Sequence, residues 1–203
     1  MPSIDAFILS ILLGYLLGSI PVATLVSRRR SIDIFSAGTG LPGAANVFRQ
    51  VGHKLGVLVS AGDAAKGALA MVVASRLGME GTWLLIPATA AIGGHWNSIF
   101  NRFRGGDGLA TLMGITIVAV PVYGLIAIVI GGVVGLWFHG NAHPSLRGGF
   151  AGYGFLLART VYLQEDIVIT SGIVILGLMV LAHAVIGHRR RRLEPELPDY
   201  DPG

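Results

Sequence analysis

The segment IDAFILSILLGYLLGSIPVATLV, residues 4–26, decides the class of fold, because it is apolar and long enough to cross a bilayer. A membrane-spanning helix needs about 20 such residues. Three consecutive arginines, residues 28–30, follow almost at once. Since cytoplasmic flanks carry the Lys/Arg excess, this end is predicted to lie inside and the N-terminus outside. The Gly-Ser-Ile-Pro run that ends at Pro21 predicts a weakened or kinked second half, because proline removes a backbone donor.

The composition of the whole chain is that of an integral membrane protein. Of its 203 residues, 53% are hydrophobic and 13% are charged, and the mean hydropathy is +0.69. Soluble domains carry about 25% charged residues. Because no basic region precedes the first span and no clear cleavage site follows it, this helix is expected to be retained and not removed as a signal peptide. The chain has no cysteine, which excludes disulfides, thiolate metal sites and cysteine nucleophiles.

The prediction is an all-α integral membrane protein with about seven transmembrane helices, an outside N-terminus and a cytoplasmic C-terminus. Twelve of the fifteen Lys/Arg side chains fall in segments placed inside, which supports this orientation. Residues 1–192 are expected to form a single multi-span membrane domain, and the Pro- and acid-rich tail 193–203 is expected to be disordered. The predicted spans are residues 4–26, 55–77, 82–100, 109–120, 122–138, 150–162 and 167–186.

The first long inside loop is polar and contains AGTGLPGAANVFR, residues 37–49. Gly38, Gly40 and Gly43 allow positive φ angles and close approach of the backbone. Successive exposed backbone N–H groups can then form a concave anion site, and Arg49 supplies a fork of donors suited to phosphate. The alternative is a glycine-rich connector whose arginine meets lipid headgroups.

The second inside loop, RFRGGDGLAT at residues 102–111, is also rich in glycine and arginine. Its glycines precede a predicted helix, where unpaired backbone N–H groups and the helix dipole favour an anion. Asp107 would compete with a phosphate there, and it could instead cap the following helix. Because both loops fall on the same side of the membrane, a shared anion site is favoured over coincidence. The three glycines are Gly105, Gly106 and Gly108, and the flanking arginines are Arg102 and Arg104.

Ionisable residues in or near the predicted spans are further candidates. Asp63 and Lys66 are three residues apart on a helix and face together, and an ionisable pair inside a span marks a functional site by default. The alternative is a self-neutralising pair that only eases insertion. His95 and His183 lie at the inner ends of spans and could titrate or donate hydrogen bonds near neutral pH, although a lone histidine there is usually structural. His143 is expected in a solvated loop. No cluster of metal ligands is apparent, so no metal or other cofactor is expected.

Taken together, these segments resemble the bacterial membrane glycerol-3-phosphate acyltransferases that use acyl phosphate as donor, the PlsY family. The resemblance spans nearly the whole chain, and the order and spacing of the motifs agree. It is carried by GSIPVATL at residues 18–25, GTGLPGAANVFRQVG at 38–52, DAAKG at 63–67, GHWNSIFNRFRGGDGLAT at 94–111, and the terminal pair His183 and Arg189.

The resemblance implies a reaction and a set of site residues. The 1-hydroxyl of glycerol 3-phosphate would attack acyl phosphate, which gives lysophosphatidic acid and inorganic phosphate without an acyl-enzyme. His183 and Ser19 are expected to be catalytic, and Asp63 and Arg189 to support the site. The expected substrate-binding residues are Gly38, Thr39, Gly40, Gly43, Asn46, Arg49, Lys66, His95, Arg104, Gly105, Gly106, Gly108 and Thr111.

The resemblance also implies partners and a location. The expected partners are acyl phosphate, glycerol 3-phosphate and membrane lipids, and no nucleic acid is expected. The protein would be a multi-pass protein of the bacterial inner membrane, with its active face towards the cytoplasm.

Four positions depart from the family pattern, and each replaces a polar or cationic group. Where this chain has Leu41 and Ile186 the family pattern has asparagine, and it has threonine in place of Ala45 and lysine in place of Asp107. One hydrogen bond to a charged group is worth about 1.5–3 kcal/mol, and about 1.4 kcal/mol is tenfold in rate, so losing several could lower activity by orders of magnitude.

Three hypotheses for the function stay open. The first is an active acyltransferase with this or an altered acceptor or donor, and the second is a catalytically impaired paralogue that binds a phosphate-bearing lipid or partner. A small transporter is ranked last.

Overall fold

The computed structural model describes residues 2–140, 143–164 and 166–193, with side chains up to residue 187. Within these ranges the chain forms nine α-helices and no β-strand, as the all-α prediction requires. Short 3-10 turns at Gly81–Leu84 and Ile99–Asn101 flank the fifth helix. The helices are α1 (Ile4–Ser19), α2 (Val22–Arg28), α3 (Ala44–Gln50), α4 (His53–Arg76), α5 (Leu85–Trp96), α6 (Leu109–Ala119), α7 (Pro121–Trp137), α8 (Pro144–Leu163) and α9 (Ile167–Leu193).

Two prolines divide apolar segments into separate helices. α1 ends at Ser19 and α2 begins just after Pro21, whose ring cannot continue the helical hydrogen bonds. The predicted break in the first apolar segment is therefore confirmed. Pro121 is the first residue of α7, two residues after the end of α6, and this position suits proline because the N–H it lacks would have no helical partner there. The predicted division at this proline is confirmed as well.

Several boundaries differ from the prediction. The seven-residue helix α3 lies inside the first loop, where no helix was expected. α8 begins at Pro144, before the predicted start at residue 150, because proline again begins the helix. α5 ends at Trp96 and not at residue 100. α9 continues beyond residue 186 to Leu193, since arginine is a good helix former. The rest of the tail, residues 194–203, lies outside the described residues.

The helix α4 is central to the part of the bundle that carries the glycine-rich loops. It packs against α1, α2, α3, α5 and α6, while α8 packs between α7 and α9. Glycines permit the closest crossings: a Cβ at Gly114 of α6 would overlap the Ala64 carbonyl of α4, and one at Gly94 of α5 would overlap the Tyr15 carbonyl of α1. Small residues at such crossings are typical of membrane bundles, where close van der Waals packing drives helix association.

Apolar side chains fill the core and also cover the outside of the bundle. Met71, Ile92, Leu112 and Leu156 come from four different helices and join one buried cluster. Many large apolar side chains are exposed instead, as Leu136 is at 73%. This distribution suits a protein whose surroundings are as apolar as its interior.

Three of the described segments are long and apolar enough to cross a membrane. They are Ile4–Arg28, which includes the break at Pro21, His53–Arg76 and Ile167–Gly187. Leu109–Ala119 and Pro121–Trp137 are apolar but shorter. The count of seven spans and the orientation of the termini remain predictions.

Candidate functional site

Asn46 holds the first glycine-rich loop together. Its amide oxygen accepts a hydrogen bond from the Thr39 N–H at 3.2 Å, and its amide nitrogen donates to the carbonyls of Ile34, Ala37 and Leu41 at 3.4, 2.9 and 3.0 Å. Asn46 is only 3% exposed. Because an asparagine side chain has one acceptor oxygen and two donor hydrogens, these contacts use most of its capacity. Asn46, an expected substrate-binding residue, therefore holds the loop in its conformation through hydrogen bonds to the backbone.

Two glycines of this loop have the left-handed backbone that the sequence predicts. The φ angles of Gly38 and Gly40 are +57° and +65°. A Cβ at Gly38 would also overlap Asn46 Oδ1, so glycine is required there on both counts. Gly43 differs from the expectation, because it precedes α3 with an extended φ of −138° that any residue adopts.

A buried ion pair joins α4 to the break after α1. Lys66 Nζ lies 3.0 Å from Asp63 Oδ1 and donates to the Ile20 carbonyl at 3.0 Å; this carbonyl is available because the helix stops there. The two charged side chains are 5% and 3% exposed. His95 Nδ1 lies 3.9 Å from the same Asp63 oxygen and 3.2 Å from Thr111 Oγ1. Four expected site residues from α4, α5 and α6 thus meet in one buried group.

The second glycine-rich loop packs directly on His95 and on the first loop. The Gly106 N–H donates to the His95 carbonyl at 3.3 Å. A Cβ at Gly106 would lie 2.7 Å from the Pro42 carbonyl and 2.8 Å from His95 Nε2, and one at Gly105 would overlap the His95 carbonyl. The two loops therefore meet at Gly106, beside the buried ion pair.

Trp96 connects the second loop to α9. Its indole N–H donates to the Asp107 carbonyl at 2.9 Å. The ring stacks on His183, with 4.4 Å between centroids and 17° between planes. Gly108, with a φ of +91°, leads from this loop into α6. His183, the expected catalytic residue, is thus held against the Trp96 ring by this aromatic contact.

A cavity of about 170 Å³ opens between the two loops, α4 and the start of α8. We refer to it as the loop cavity. Arg49 supplies its cation, and Asp63 and Asp107 contribute carboxylates. Seven expected site residues line it: Thr39, Gly43, Asn46, Arg49, Asp63, His95 and Gly108. Three of the four departures from the family pattern, Leu41, Ala45 and Asp107, line the same cavity.

Other expected residues lie elsewhere. Ser19 and Lys66 border a small cavity of about 10 Å³ together with Gly105, and a space of that size holds about one water molecule. Ser19 is fully buried there, which favours a supporting role over direct contact with a substrate. Arg104 lines a separate cleft, described below. The side chain of Arg189 lies outside the described residues.

The sequence interpretation missed one wall of the loop cavity. His143, Ser145 and Leu146 line it, although His143 was expected in a solvated loop. The start of α8 at Pro144 places them there, and the proline was the available signal. Within the described ranges, no group of three or more His, Asp or Glu side chains is placed to hold a metal ion.

A family model described as glycerol-3-phosphate acyltransferase matches residues 8–192. The chain belongs to this family. A relative from Dehalococcoides mccartyi (strain CBDB1) named glycerol-3-phosphate acyltransferase 4 is 37% identical over 187 residues, which cover 89% of this chain and 78% of the relative. Family membership places the chain among the membrane acyltransferases of phospholipid biosynthesis.

Two solved structures of a family member have the same fold. Both are crystal structures of PlsY, described as an integral membrane glycerol 3-phosphate acyltransferase. Its glycerol 3-phosphate form matches with a TM-score of 0.74 and 25% identity, over 92% of this chain and 90% of that one. Its lysophosphatidic acid form matches with a TM-score of 0.73 and 26% identity, over 92% and 89% of the two chains. The similarity supports the integral membrane fold of this chain.

Proposed function

We propose that this chain transfers a fatty acyl group from acyl phosphate to the 1-hydroxyl of glycerol 3-phosphate, giving lysophosphatidic acid and inorganic phosphate. The observation that carries the proposal is the meeting of the two glycine-rich loops at the buried Asp63–Lys66–His95 group, in a chain of this family. The glycerol 3-phosphate and lysophosphatidic acid forms of the similar structure support this acceptor and this product. Acyl phosphate as the donor rests on the resemblance of the motifs.

The loop cavity is the proposed binding site for the substrate phosphates. Arg49 lines it with an exposed side chain, and a guanidinium can bind phosphate through two parallel hydrogen bonds. Gly108 brings the N-terminus of α6 to the same cavity, where backbone N–H groups favour an anion. Holding two substrates in one orientation is a large part of such catalysis, because it removes the entropy cost of bringing them together.

The reaction needs no covalent enzyme intermediate. The 1-hydroxyl oxygen forms a bond to the acyl carbonyl carbon, and the bond from that carbon to the phosphate oxygen breaks, with its electron pair leaving on phosphate. The hydroxyl proton passes to His183 or to the leaving phosphate. Hydrogen-bond donors beside the developing oxyanion lower the barrier. The buried ion pair positions the loops by holding α4 to the end of α1.

The proposed location is the bacterial inner membrane, with the loop cavity towards the cytoplasm and the acyl chain among the helices. The exposed apolar side chains and the three long apolar segments support a membrane location. The excess of Lys/Arg in the loops around the cavity supports the cytoplasmic side. We further propose that residues 1–192 act as one membrane domain with seven spans.

A second candidate function is binding of a phosphate-bearing lipid or partner without turnover. Its support is the position of Leu41, Ala45 and Asp107, which line the loop cavity together with Arg49. Leu41 and Ala45 give a phosphate no side-chain hydrogen bond where the family pattern has asparagine and threonine. The carboxylate of Asp107 repels a phosphate where the pattern has lysine. This function predicts stabilisation of the protein by glycerol 3-phosphate with no chemistry.

The deciding experiment measures phosphate release from acyl phosphate by the purified protein in lipid nanodiscs, with and without glycerol 3-phosphate. The expected result is release that depends on glycerol 3-phosphate and falls at least about tenfold in Arg49→Ala, which loses the charged hydrogen bonds. Release no faster than in Arg49→Ala would reject the proposal. Thermal stabilisation by glycerol 3-phosphate in that case would establish the second function.

A further inference from the structure

We propose that a second anion site, separate from the loop cavity, binds the phosphate headgroup of an acidic membrane lipid. The site is an open cleft of about 440 Å³ between the end of α2 and the second glycine-rich loop. We call it the arginine cleft. Arg28, Arg102 and Arg104 line it, and none of the three lines the loop cavity. The proposal is independent of whether the chain turns over acyl phosphate.

The charge of the arginine cleft suits a phosphate. Its lining includes three arginines and one acidic residue, Asp33, whose Oδ1 already accepts the Phe35 N–H at 3.1 Å. The Arg104 guanidinium lies 4.1 Å from the centroid of the Phe35 ring, and this cation–π contact holds it at the cleft. Arginine is the preferred residue for phosphate recognition because its planar fork matches two phosphate oxygens.

The rim of the cleft indicates a lipid as the source of that phosphate. Phe100 is 59% exposed and lines the cleft, and Phe103, between the lining residues Arg102 and Arg104 in the chain, is 63% exposed. Leu25, one turn before Arg28 on α2, is 52% exposed. Arginines next to exposed apolar side chains match the membrane surface, where acidic headgroups meet acyl chains. A soluble phosphate monoester would use the arginines and leave the apolar rim uncovered.

The backbone of the cleft gives an independent observation. Ser31 and Arg102, both lining residues, have φ angles of +57° and +55°, and Phe103 has +60°. This left-handed region is disfavoured for any residue with a Cβ, and the chain uses glycine at comparable positions such as Gly38 and Gly40. Strained backbone of this kind clusters at ligand sites, where the side chain is needed in that place.

The arginine cleft borders the buried ion pair. Asn101 lines the cleft and also the small cavity that contains Asp63 and Lys66. Its side-chain amide donates to Thr24 Oγ1 at 3.0 Å, which fixes it to α2. A lipid phosphate in the cleft would therefore be separated by the Asn101 side chain from the cavity of the Asp63–Lys66 pair, which holds α4 to the end of α1.

The test is native mass spectrometry of the full chain with phosphatidic acid, phosphatidylcholine or inorganic phosphate. The informative variant is Arg102→Gly, because glycine accepts the left-handed backbone and the protein is expected to melt no lower than the wild type. A second variant, Arg28→Gln, removes another guanidinium without touching that backbone. The matched control is Arg147→Gln: Arg147 is also exposed and lies 4.7 Å from the centroid of the Phe138 ring, but it does not line the cleft.

The expected result is retention of phosphatidic acid over phosphatidylcholine, weakened at least about tenfold by combining Arg28→Gln with Arg102→Gly and unchanged by Arg147→Gln. Equal retention of the two lipids would overturn the proposal, as would equal weakening by the control variant. Inorganic phosphate that binds as tightly as phosphatidic acid, with the same dependence on Arg28 and Arg102, would overturn the membrane lipid as its source.

Discussion

Asn46 shows how much of a loop one side chain can determine. Its partners are backbone groups up to 12 residues away, which the loop brings together around it. The sequence could mark Asn46 as a candidate through the resemblance, but it could not show which groups the amide contacts. Gly38 and Gly40 were predictable, because positive φ is a property of the residue itself.

We expect Asn46→Ala to destabilise the protein, because the change leaves buried carbonyls and the Thr39 N–H without their partner. Buried unsatisfied groups cost about 1–3 kcal/mol each, so the melting temperature should fall by at least about 5 °C. A thermal unfolding curve in detergent measures the shift. Asn97→Ala changes an exposed asparagine and should move the curve by about 1–2 °C at most. Equal shifts in the two variants would argue against a structural role for Asn46.

The Asp63–Lys66 pair gives a second prediction at the same scale. Lys66→Met leaves the Asp63 carboxylate buried without its cation, which should lower the free energy of unfolding by about 3–5 kcal/mol. The double variant Asp63→Leu with Lys66→Met removes both charges and should be more stable than the single variant. Thermal unfolding of the two proteins tests the order. A double variant that unfolds as early as Lys66→Met would show that the cost does not come from the unpaired charge.

The helix boundaries that could be predicted from the sequence were those set by a proline inside an apolar segment. Pro21 directly precedes α2 and Pro121 is the first residue of α7, and in both cases the preceding helix ends two residues earlier, as the missing N–H requires. The short helix α3 and the early start of α8 were not predicted, because neither has an apolar stripe long enough to stand out in a polar loop. That early start brings His143 and Ser145 to the loop cavity. Because the predicted start of α8 was too late, the predicted site lacked these two residues.

Two adjacent glycines test the crossing of α1 and α5. A Cβ at Gly94 would overlap the Tyr15 carbonyl, whereas nothing lies within 4 Å of a Cβ at Gly93. We expect Gly94→Ala to push the two helices apart and to lower the melting temperature by several degrees. Gly93→Ala should be neutral or stabilising, because alanine is the better helix former by about 1 kcal/mol. The same measurement on both variants checks the crossing, which would be wrong if the two behaved alike.

At the scale of the whole molecule, composition was sufficient to indicate an integral membrane protein of the all-α class. The structure and the family agree with both conclusions. The number of spans is harder to derive, because α6 has only 11 residues and a crossing needs about 20. Which loops meet could not be read from the sequence either. A Cβ at Gly106 would meet the Pro42 carbonyl only because α4 and α5 bring the two loops to one end of the bundle.

The predicted orientation can be tested with single cysteines, since the chain has none of its own. Ser36→Cys lies in the first glycine-rich loop and Glu80→Cys in the turn between α4 and α5, and both positions are exposed. In intact cells we expect an impermeant thiol reagent to label Glu80→Cys and to leave Ser36→Cys unmodified until the cells are opened. The reverse pattern would place the arginine-rich loops outside.

The central claim is that the loop cavity supports acyl transfer to glycerol 3-phosphate in spite of Asp107. The most direct measurement is the initial rate of lysophosphatidic acid formation by the wild type and by Asp107→Lys, in the same nanodiscs and with the same substrates. We expect the wild type to form product only when glycerol 3-phosphate is present, and Asp107→Lys to be at least about tenfold faster, because a repulsion beside the phosphate becomes an attraction. No product from the wild type would contradict the account, whether or not Asp107→Lys forms any.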